Sequence, residues 1–306
     1  MRTVLWLCPE AMSADPAAVR SRYAWLAENT LVAVASGFAG IAASEHHWRD
    51  DGYCPDALGL LTGLGALARP RVLMSAVIPL PFWDARILGE RAAVAAAVSG
   101  AEVYLGVGTG CDPRELETSG WTSEELWTRT TTSLEQLCNF ASRGLAGIHG
   151  PARILLGAMT AAGVRRAARL GLGWIADPRA TLDELTRLNR LYRDEGGGGP
   201  VVVMRDAYVG DDDAAWLDAV MADHRRFWAT PRRGLRGRGP PGDDTLVRDV
   251  LVHGGGPAVA ARLQLLQQAL APDMLCLRIE LPNWQDSRQT LQQLDRWRPL
   301  LSDMPG

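Results

Sequence analysis

No lysine occurs among the 306 residues; all 32 basic side chains are arginine. That excludes a Schiff-base lysine and the phosphate-gripping lysine of a P-loop. Histidine is scarce too, with five in the chain. The five cysteines (Cys8, Cys54, Cys111, Cys138 and Cys276) lie far apart with no Cys-x-x-Cys spacing, which argues against a disulfide framework or a zinc knuckle. No apolar run approaches the roughly 18 residues of a membrane span, and the apolar part of MRTVLWLCPEAM is too short for a signal peptide. The net charge of −3 gives no field that would recruit nucleic acid or an anionic membrane. What is left is an enzyme-sized cytoplasmic protein able to bury a large core, with no call for a metal, a nucleic acid or a membrane.

What is present is alternation. Short, continuous apolar runs read as buried parallel strands: Val4–Leu7, Phe38–Ala43, Arg71–Leu80, Val103–Gly108, Ile154–Met159, Trp174–Ala176, Val201–Val209 and Met274–Glu280. Between them lie amphipathic stretches: Pro16–Val34, Asp84–Val98, Glu124–Arg143, Ala161–Leu170, Leu182–Asp194, Asp213–Phe227, Ala258–Leu270 and Ser287–Leu300. About eight βα units in a chain of this length predict a single α/β domain over 1–306, a (β/α)8 TIM barrel, ahead of a doubly wound sheet. The Gly/Pro/Arg-rich stretch around Arg232–Asp244 reads as a mobile surface loop within 230–246.

Three motifs fall where barrel strands end, the place where such folds build their sites. The first is Glu45-His46-His47. Side chains alternate along a strand, so Glu45 and His47 are expected on one side. Adjacent histidines do not supply the inward His-x-His pair of a zinc hydrolase, and one core plus one surface histidine would explain them equally well. The second, Gly106-Val107-Gly108-Thr109-Gly110, lacks the last glycine of a dinucleotide fingerprint, where Cys111 stands. It reads as a tight turn or as backbone that a flat ring can approach. The third, around Met159 and Thr160, starts a helix that offers N–H groups and a hydroxyl to a phosphate, with Arg165 and Arg166 one turn on. GLGALA (Gly63–Ala68) sits in a helical pattern and reads as packing.

Together, EHHW after the second strand, RVLMSAVIPLP, GVGTGCDPRELETSGW, LLGAMTAAGVRRAARLGLGWI, PVVVMRDAYVGDDDAAW and VHGGGPAVAARLQLL with DMLCLRIELPNW resemble the bacterial luciferase-like flavin-dependent monooxygenases, in order and over nearly the whole chain. The resemblance implies reduced FMN delivered by a separate reductase, O2 as co-substrate, oxidation of a small organic molecule through a flavin C4a-peroxide, and a homodimer. It implies His46 and His47 as catalytic residues oriented by Glu45, working near neutrality because imidazole titrates there. Ser75 and Ala76 match a third-strand site that often carries a non-prolyl cis peptide beneath the flavin. Gly106 and Gly108 would back the ring, while Thr109, Met159 and Thr160 would meet the phosphate. Trp48 and Trp83, in loops after strands two and three, are placed at the mouth for a hydrophobic substrate. Trp25, Trp127, Trp216 and Trp297 read as helix–barrel packing.

Two departures stand out, Thr109 in GVGTG and Ser99-Gly100-Ala101-Glu102 in place of the usual Ser-Gly-Gly-Arg before strand four, and the first favours other readings. Thr109 stands where flavin-type members often carry arginine, and GVGTG also occurs in the sister branch that uses the deazaflavin F420 for hydride transfer. The alternatives are therefore an F420-dependent oxidoreductase and a non-catalytic barrel that binds flavin or a partner. The fifth and sixth units follow closely, so the insertion that forms a lid in many members looks trimmed.

Overall fold

The computed structural model describes residues 1–143, 153–229, 239–281 and 287–302. Its strands are β1 (Arg2–Leu7), β2 (Gly40–Ala43), β3 (Val72–Ser75), the two-residue β4 (Ile78–Pro79), β5 (Glu102–Gly108), β6 (Ile154–Ala158), β7 (Gly173–Ala176), β8 (Val201–Val209), β9 (Val252–Gly254) and β10 (Met274–Arg278). The helices are α1 (Pro16–Ala35), α2 (Ala57–Ala68), α3 (Ala85–Ser99), α4 (Pro113–Ser119), α5 (Ser123–Ser142), α6 (Ala161–Arg169), α7 (Leu182–Asp194), α8 (Ala214–Ala229), the short α9 (Asp243–Thr245), α10 (Gly256–Leu270) and α11 (Ser287–Ser302).

Every strand pairing is parallel, and β10 bonds to both β1 and β8, closing a ring in the order β10-β1-β2-β3-β5-β6-β7-β8. This is the expected (β/α)8 barrel, with all eight main strands where the apolar runs lie. The runs are continuous because each strand is buried on both faces. Val4, Trp6, Ala42, Met74, Tyr104, Leu155, Ile175, Met204 and Cys276 fill the barrel, while their neighbours Leu5, Leu7, Ile41, Leu73 and Leu105 pack outward under the helices. Side-chain caps start the helices where the sequence marks them: Asp15 accepts from Ala18 N at 3.2 Å and Thr160 from Gly163 N at 3.2 Å. Gly65, in the α2 stretch read as packing, has no room for a side chain, since a Cβ there would lie 2.8 Å from Ser99 Cβ.

Two tryptophans expected in packing positions, Trp216 and Trp297, are buried. Trp127 departs from that expectation. It is an exposed side chain of α5 covered by Arg166, whose guanidinium lies 3.9 Å from the ring centre.

The fifth and sixth units are short, β6-α6-β7, and the added structure lies in the seventh instead. β8 runs past the barrel's edge, where Ala207–Val209 pair with β9. Between β8 and α10 stand α8, α9 and a π-helical turn at Leu246–Val250. These share a small core of Trp216, Val220, Met221, Leu246, Val250, Leu251 and Leu281. The loop expected over 230–246 falls partly outside the described residues, and from Asp243 onward it is helical rather than irregular.

Candidate active site

The histidine pair follows β2 at the carboxyl-terminal mouth of the barrel. Glu45 and His47 do share a side: His47 Nε2 lies 2.9 Å from Glu45 Oε1. Glu45 is buried, and its carboxylate also accepts from Trp83 Nε1 at 2.6 Å and from Ala57 N at 2.9 Å. It thereby ties β2, the loop after β4 and the start of α2 into one frame.

His46 answers to a different carboxylate. Its Nδ1 is 3.0 Å from Glu115 Oε1 on α4, and the same oxygen accepts the His47 backbone N–H at 2.8 Å. Glu45, expected to orient both imidazoles, meets that of His47, while that of His46 meets Glu115. Glu115 is buried, and its Oε2 has no hydrogen-bond partner. A carboxylate only accepts, so each neutral histidine must donate to its acid. A neutral His46 then carries its hydrogen on Nδ1, and a neutral His47 on Nε2.

Arg49 fastens this loop. It bonds Asp112 at 2.8 Å, pairs with Asp51, and lies 3.7 Å from Glu10. Asp112 caps α4 through Arg114 N at 3.0 Å. Burial alone would raise the Asp112 carboxyl, but hydrogen bonds from the Arg114 side chain and backbone hold it well below the usual range. Behind His46, Tyr53 packs edge-on at 4.7 Å and shares a 2.5 Å hydroxyl contact with Ser44.

An aromatic wall rises beside the pair. Phe82 lies 5.3 Å from His47, 5.0 Å from Trp48 and 5.3 Å from Trp121, on which it stacks. Trp48 stands at the rim, 55% exposed, which suits the expected ligand contact. Trp83 is 6.4 Å from His47, but its N–H is engaged by Glu45. Phe82 and Trp121 escape a reading strand by strand; Phe82 adjoins Trp83, and Trp121 closes the quoted GVGTG stretch.

The floor is made of small groups. A cis peptide bond joins Ala76 and Val77, one residue beyond the Ser75–Ala76 pair. Ser75 itself is buried, with Oγ donating to Gly106 O at 2.8 Å. A Cβ at Gly106 would run into the Ser75 carbonyl, whereas a Cβ at Gly108 or Gly157 would meet Val77 methyls at 3.0 and 3.1 Å. Gly106 thus serves strand packing, and Gly108 and Gly157 shape the surface beside Val77. Thr109 and Met159 are partly accessible, and Thr160, exposed, caps α6. Arg165 pairs with Glu195 at 3.0 Å and Arg166 covers Trp127, so neither reaches the turn at Thr160.

Across the mouth lies a charged cluster that local motifs did not reveal. Arg278, at the end of β10, pairs with Asp206 of β8 and with Asp223 of α8 at 2.8 Å, and lies 5.0 Å from the Trp6 ring centre. Asp206 also takes His224 Nε2 at 2.8 Å. Asp223, otherwise raised by burial, is brought down to about 2 chiefly by the Arg278 charge.

The family model described as luciferase-like monooxygenase matches residues 3–271. The chain belongs to the luciferase-like monooxygenase family. Its backbone is similar to that of the monooxygenase RslO1 from Streptomyces bottropensis, with a TM-score of 0.81 at 16% identity over 98% of each chain. It is also similar to the oxygenating constituent of 3,6-diketocamphane monooxygenase from Pseudomonas putida, a type II Baeyer–Villiger monooxygenase in complex with FMN (TM-score 0.75, 17% identity, 97% of each chain). An F420-dependent secondary alcohol dehydrogenase superposes with a TM-score of 0.71 at 13% identity over 97% of each chain. At these identities the likeness is one of fold. No curated protein sequence matches the chain. Among the described residues no helix is long and apolar enough to cross a membrane.

Proposed function

We propose that this member of the family is a monooxygenase that uses reduced FMN, supplied by a separate reductase, and O2 to oxidise a small hydrophobic substrate, acting as a homodimer. The observation that carries the reading is the pair of histidines at the mouth, each held through one ring nitrogen by its own buried carboxylate. Paired acid–base groups of this kind, each anchored through a different ring nitrogen, suit proton transfer at two neighbouring atoms.

The residues present fit a flavin. Gly108 and Gly157 carry no side chain beside Val77, which leaves room for a planar ring to approach there. Thr160 caps α6 through its acceptor oxygen, so the hydroxyl hydrogen and the first N–H groups of that helix remain to bind a phosphate. When bound, reduced FMN supplies the electrons that activate O2. This chain's residues do the rest. His46 and His47 accept or donate a proton at Nε2 and Nδ1 respectively; Glu115 and Glu45 hold the rings; Phe82, Trp48 and Trp121 exclude water and favour an apolar substrate.

The test is an anaerobic titration with reduced FMN, with oxidised FMN and F420 in parallel, followed by admission of air. Saturable binding of reduced FMN and rapid reoxidation whose rate falls in His46→Ala and His47→Ala supports the reading. Binding of F420 alone, with indifference to O2, replaces it with hydride transfer. Binding of neither leaves a non-catalytic barrel.

A further inference from the structure

The closed interior of the barrel ends just below the histidine pair. Ala42 of β2 and Met74 of β3 face each other in register, fill the barrel and are 0% exposed. Two residues further along each chain, on the same face, Ser44 and Ala76 are 7% and 6% exposed. The Ala76 N–H donates to Ala43 O at 2.8 Å, so the two segments stay side by side up to this level. On the other flank, the pairing of Leu7 with Ala43 brings Cys8 beside Ser44. Ser44 therefore stands at the bottom of the mouth, where the sealed interior first opens.

Its hydroxyl is half of a pair. Ser44 Oγ and the Tyr53 hydroxyl oxygen lie 2.5 Å apart. Two hydroxyls bring two hydrogens and only one can lie between them, so the other is left to give. Among the described residues neither oxygen has a second partner. A phenol is the more acidic of the two, so Tyr53 donates and Ser44 accepts. Burial raises the Tyr53 phenol above its ordinary value, which keeps it a neutral donor at neutral pH. Tyr53 is itself held. Its backbone N–H donates to Asp51 Oδ1 at 3.1 Å, the Arg49 guanidinium lies 5.4 Å from its ring centre, and the His46 ring packs on it edge-on at 4.7 Å. The spare hydrogen thus belongs to Ser44, on a hydroxyl whose direction Tyr53 sets.

Ala76 leads into Val77, beside which Gly108 and Gly157 leave room for a planar ring. In the ring of strands, β2 and β6 flank β3 and β5. A flavin whose phosphate chain runs to the start of α6, after β6, turns the opposite edge of its ring toward β2. That edge bears a carbonyl oxygen of the pyrimidinedione ring, an acceptor that needs a donor once it leaves water.

We propose that Ser44 Oγ–H donates a hydrogen bond to a ring carbonyl oxygen of the bound flavin, and that Tyr53 is the positioning residue that aims it. The assignment rests on a flavin occupying the mouth, as read above, but not on which one, since FMN and F420 share this carbonyl-bearing ring. In its anionic reduced form the FMN ring spreads negative charge onto its carbonyl oxygens, so the donor serves that form more than the oxidised one.

The experiment is anaerobic equilibrium titration of the full chain with oxidised FMN, reduced FMN and F420, followed by absorbance and fluorescence. The parent is compared with Ser44→Ala, Tyr53→Phe and the double variant, and the thermal melting of each is recorded. Ser44→Ala should melt like the parent and bind the oxidised ring about two- to tenfold more weakly, the worth of one neutral hydrogen bond. It should weaken reduced FMN by a larger factor, and it should shift the absorption maxima of the bound oxidised flavin. Tyr53→Phe should weaken binding less, and should add nothing in the Ser44→Ala background, because it acts only through that hydroxyl. Binding of F420 in place of FMN would change the reaction assigned above and leave the loss expected in Ser44→Ala as it stands. Equal affinity of Ser44→Ala and the parent, with unchanged absorption maxima, overturns the proposal while the flavin reading survives. A loss equal for both redox states and accompanied by lower melting also overturns it, since that marks a serine needed only for packing. A parent that binds no flavin overturns both.

Discussion

Glu115 reaches across 69 positions of sequence to hold His46, taking Nδ1 at 3.0 Å, and with the same oxygen it fixes the backbone of the next residue. The register between β2 and α4 is therefore written into one carboxylate oxygen. Removing it should free the His46 ring without touching its chemistry. Glu115→Ala is expected to lower turnover by roughly 10- to 100-fold, part of the general acid–base contribution. Combined with His46→Ala it should cost little more than either alone. Steady-state rates of the two single variants and the double variant decide; full additivity would show that Glu115 does not act through His46.

Asp223 gives a pH dependence with a definite sign. Its folded-state pKa, about 2, lies below the 3.8 of an unperturbed aspartate. A depressed acid contributes stability that is present above the unfolded pKa and disappears as pH falls through the folded one. The difference corresponds to roughly 2 kcal/mol, lost between about pH 4 and pH 2. In Arg278→Met this portion of the acid transition should shrink, because the stronger of the two cations that depress Asp223, Arg278 ahead of Arg179, is gone. At pH 7 the same change removes the cationic partner of buried Asp206, leaving it only the His224 contact, and should cost about 3–5 kcal/mol. Urea unfolding of both proteins at several pH values measures the two effects together.

The two inward-facing glycines should separate folding from binding. Gly106→Ala sets a methyl against the Ser75 carbonyl, a backbone atom that cannot move aside, and should cost several kcal/mol in thermal unfolding. Gly157→Ala places its methyl 3.1 Å from a Val77 side-chain carbon, where a small shift suffices. It should fold normally and bind flavin more weakly, by about tenfold, since it raises a bump on the floor. A Gly157→Ala protein with unchanged flavin affinity would place the ring elsewhere.

The barrel was readable because its strands are buried on both faces, and such strands announce themselves as continuous apolar runs such as VLMS and VVVM. Glu45 and His47 were readable as partners because alternation along two residues is local. Glu115 was not, since nothing in GVGTGCDPRELETSGW says that its acid turns back to β2. The helix carrying it did leave a mark: Asp112-Pro113 at the start and Gly120, at a φ of +68°, just past the end. Arg278 and Asp206 lie in strand runs where their charges look like interruptions, and only the closed ring brings β8 beside β10. The extra layer over the mouth was expected to be cut back at the fifth unit. There it is indeed short, but two helices between the seventh and eighth strands already signalled where the chain spends that length.

The bond from α8 to the barrel has a consequence for traffic. Asp223 and His224 rivet that helix to the ends of β8 and β10, so one half of the entrance is a fixed wall. The other half is edged by Trp48, more than half exposed and with a backbone φ of +52°. Molecules that come and go should therefore pass on the histidine side, and the order in which guests enter is set there: whatever must lie deepest has to arrive first.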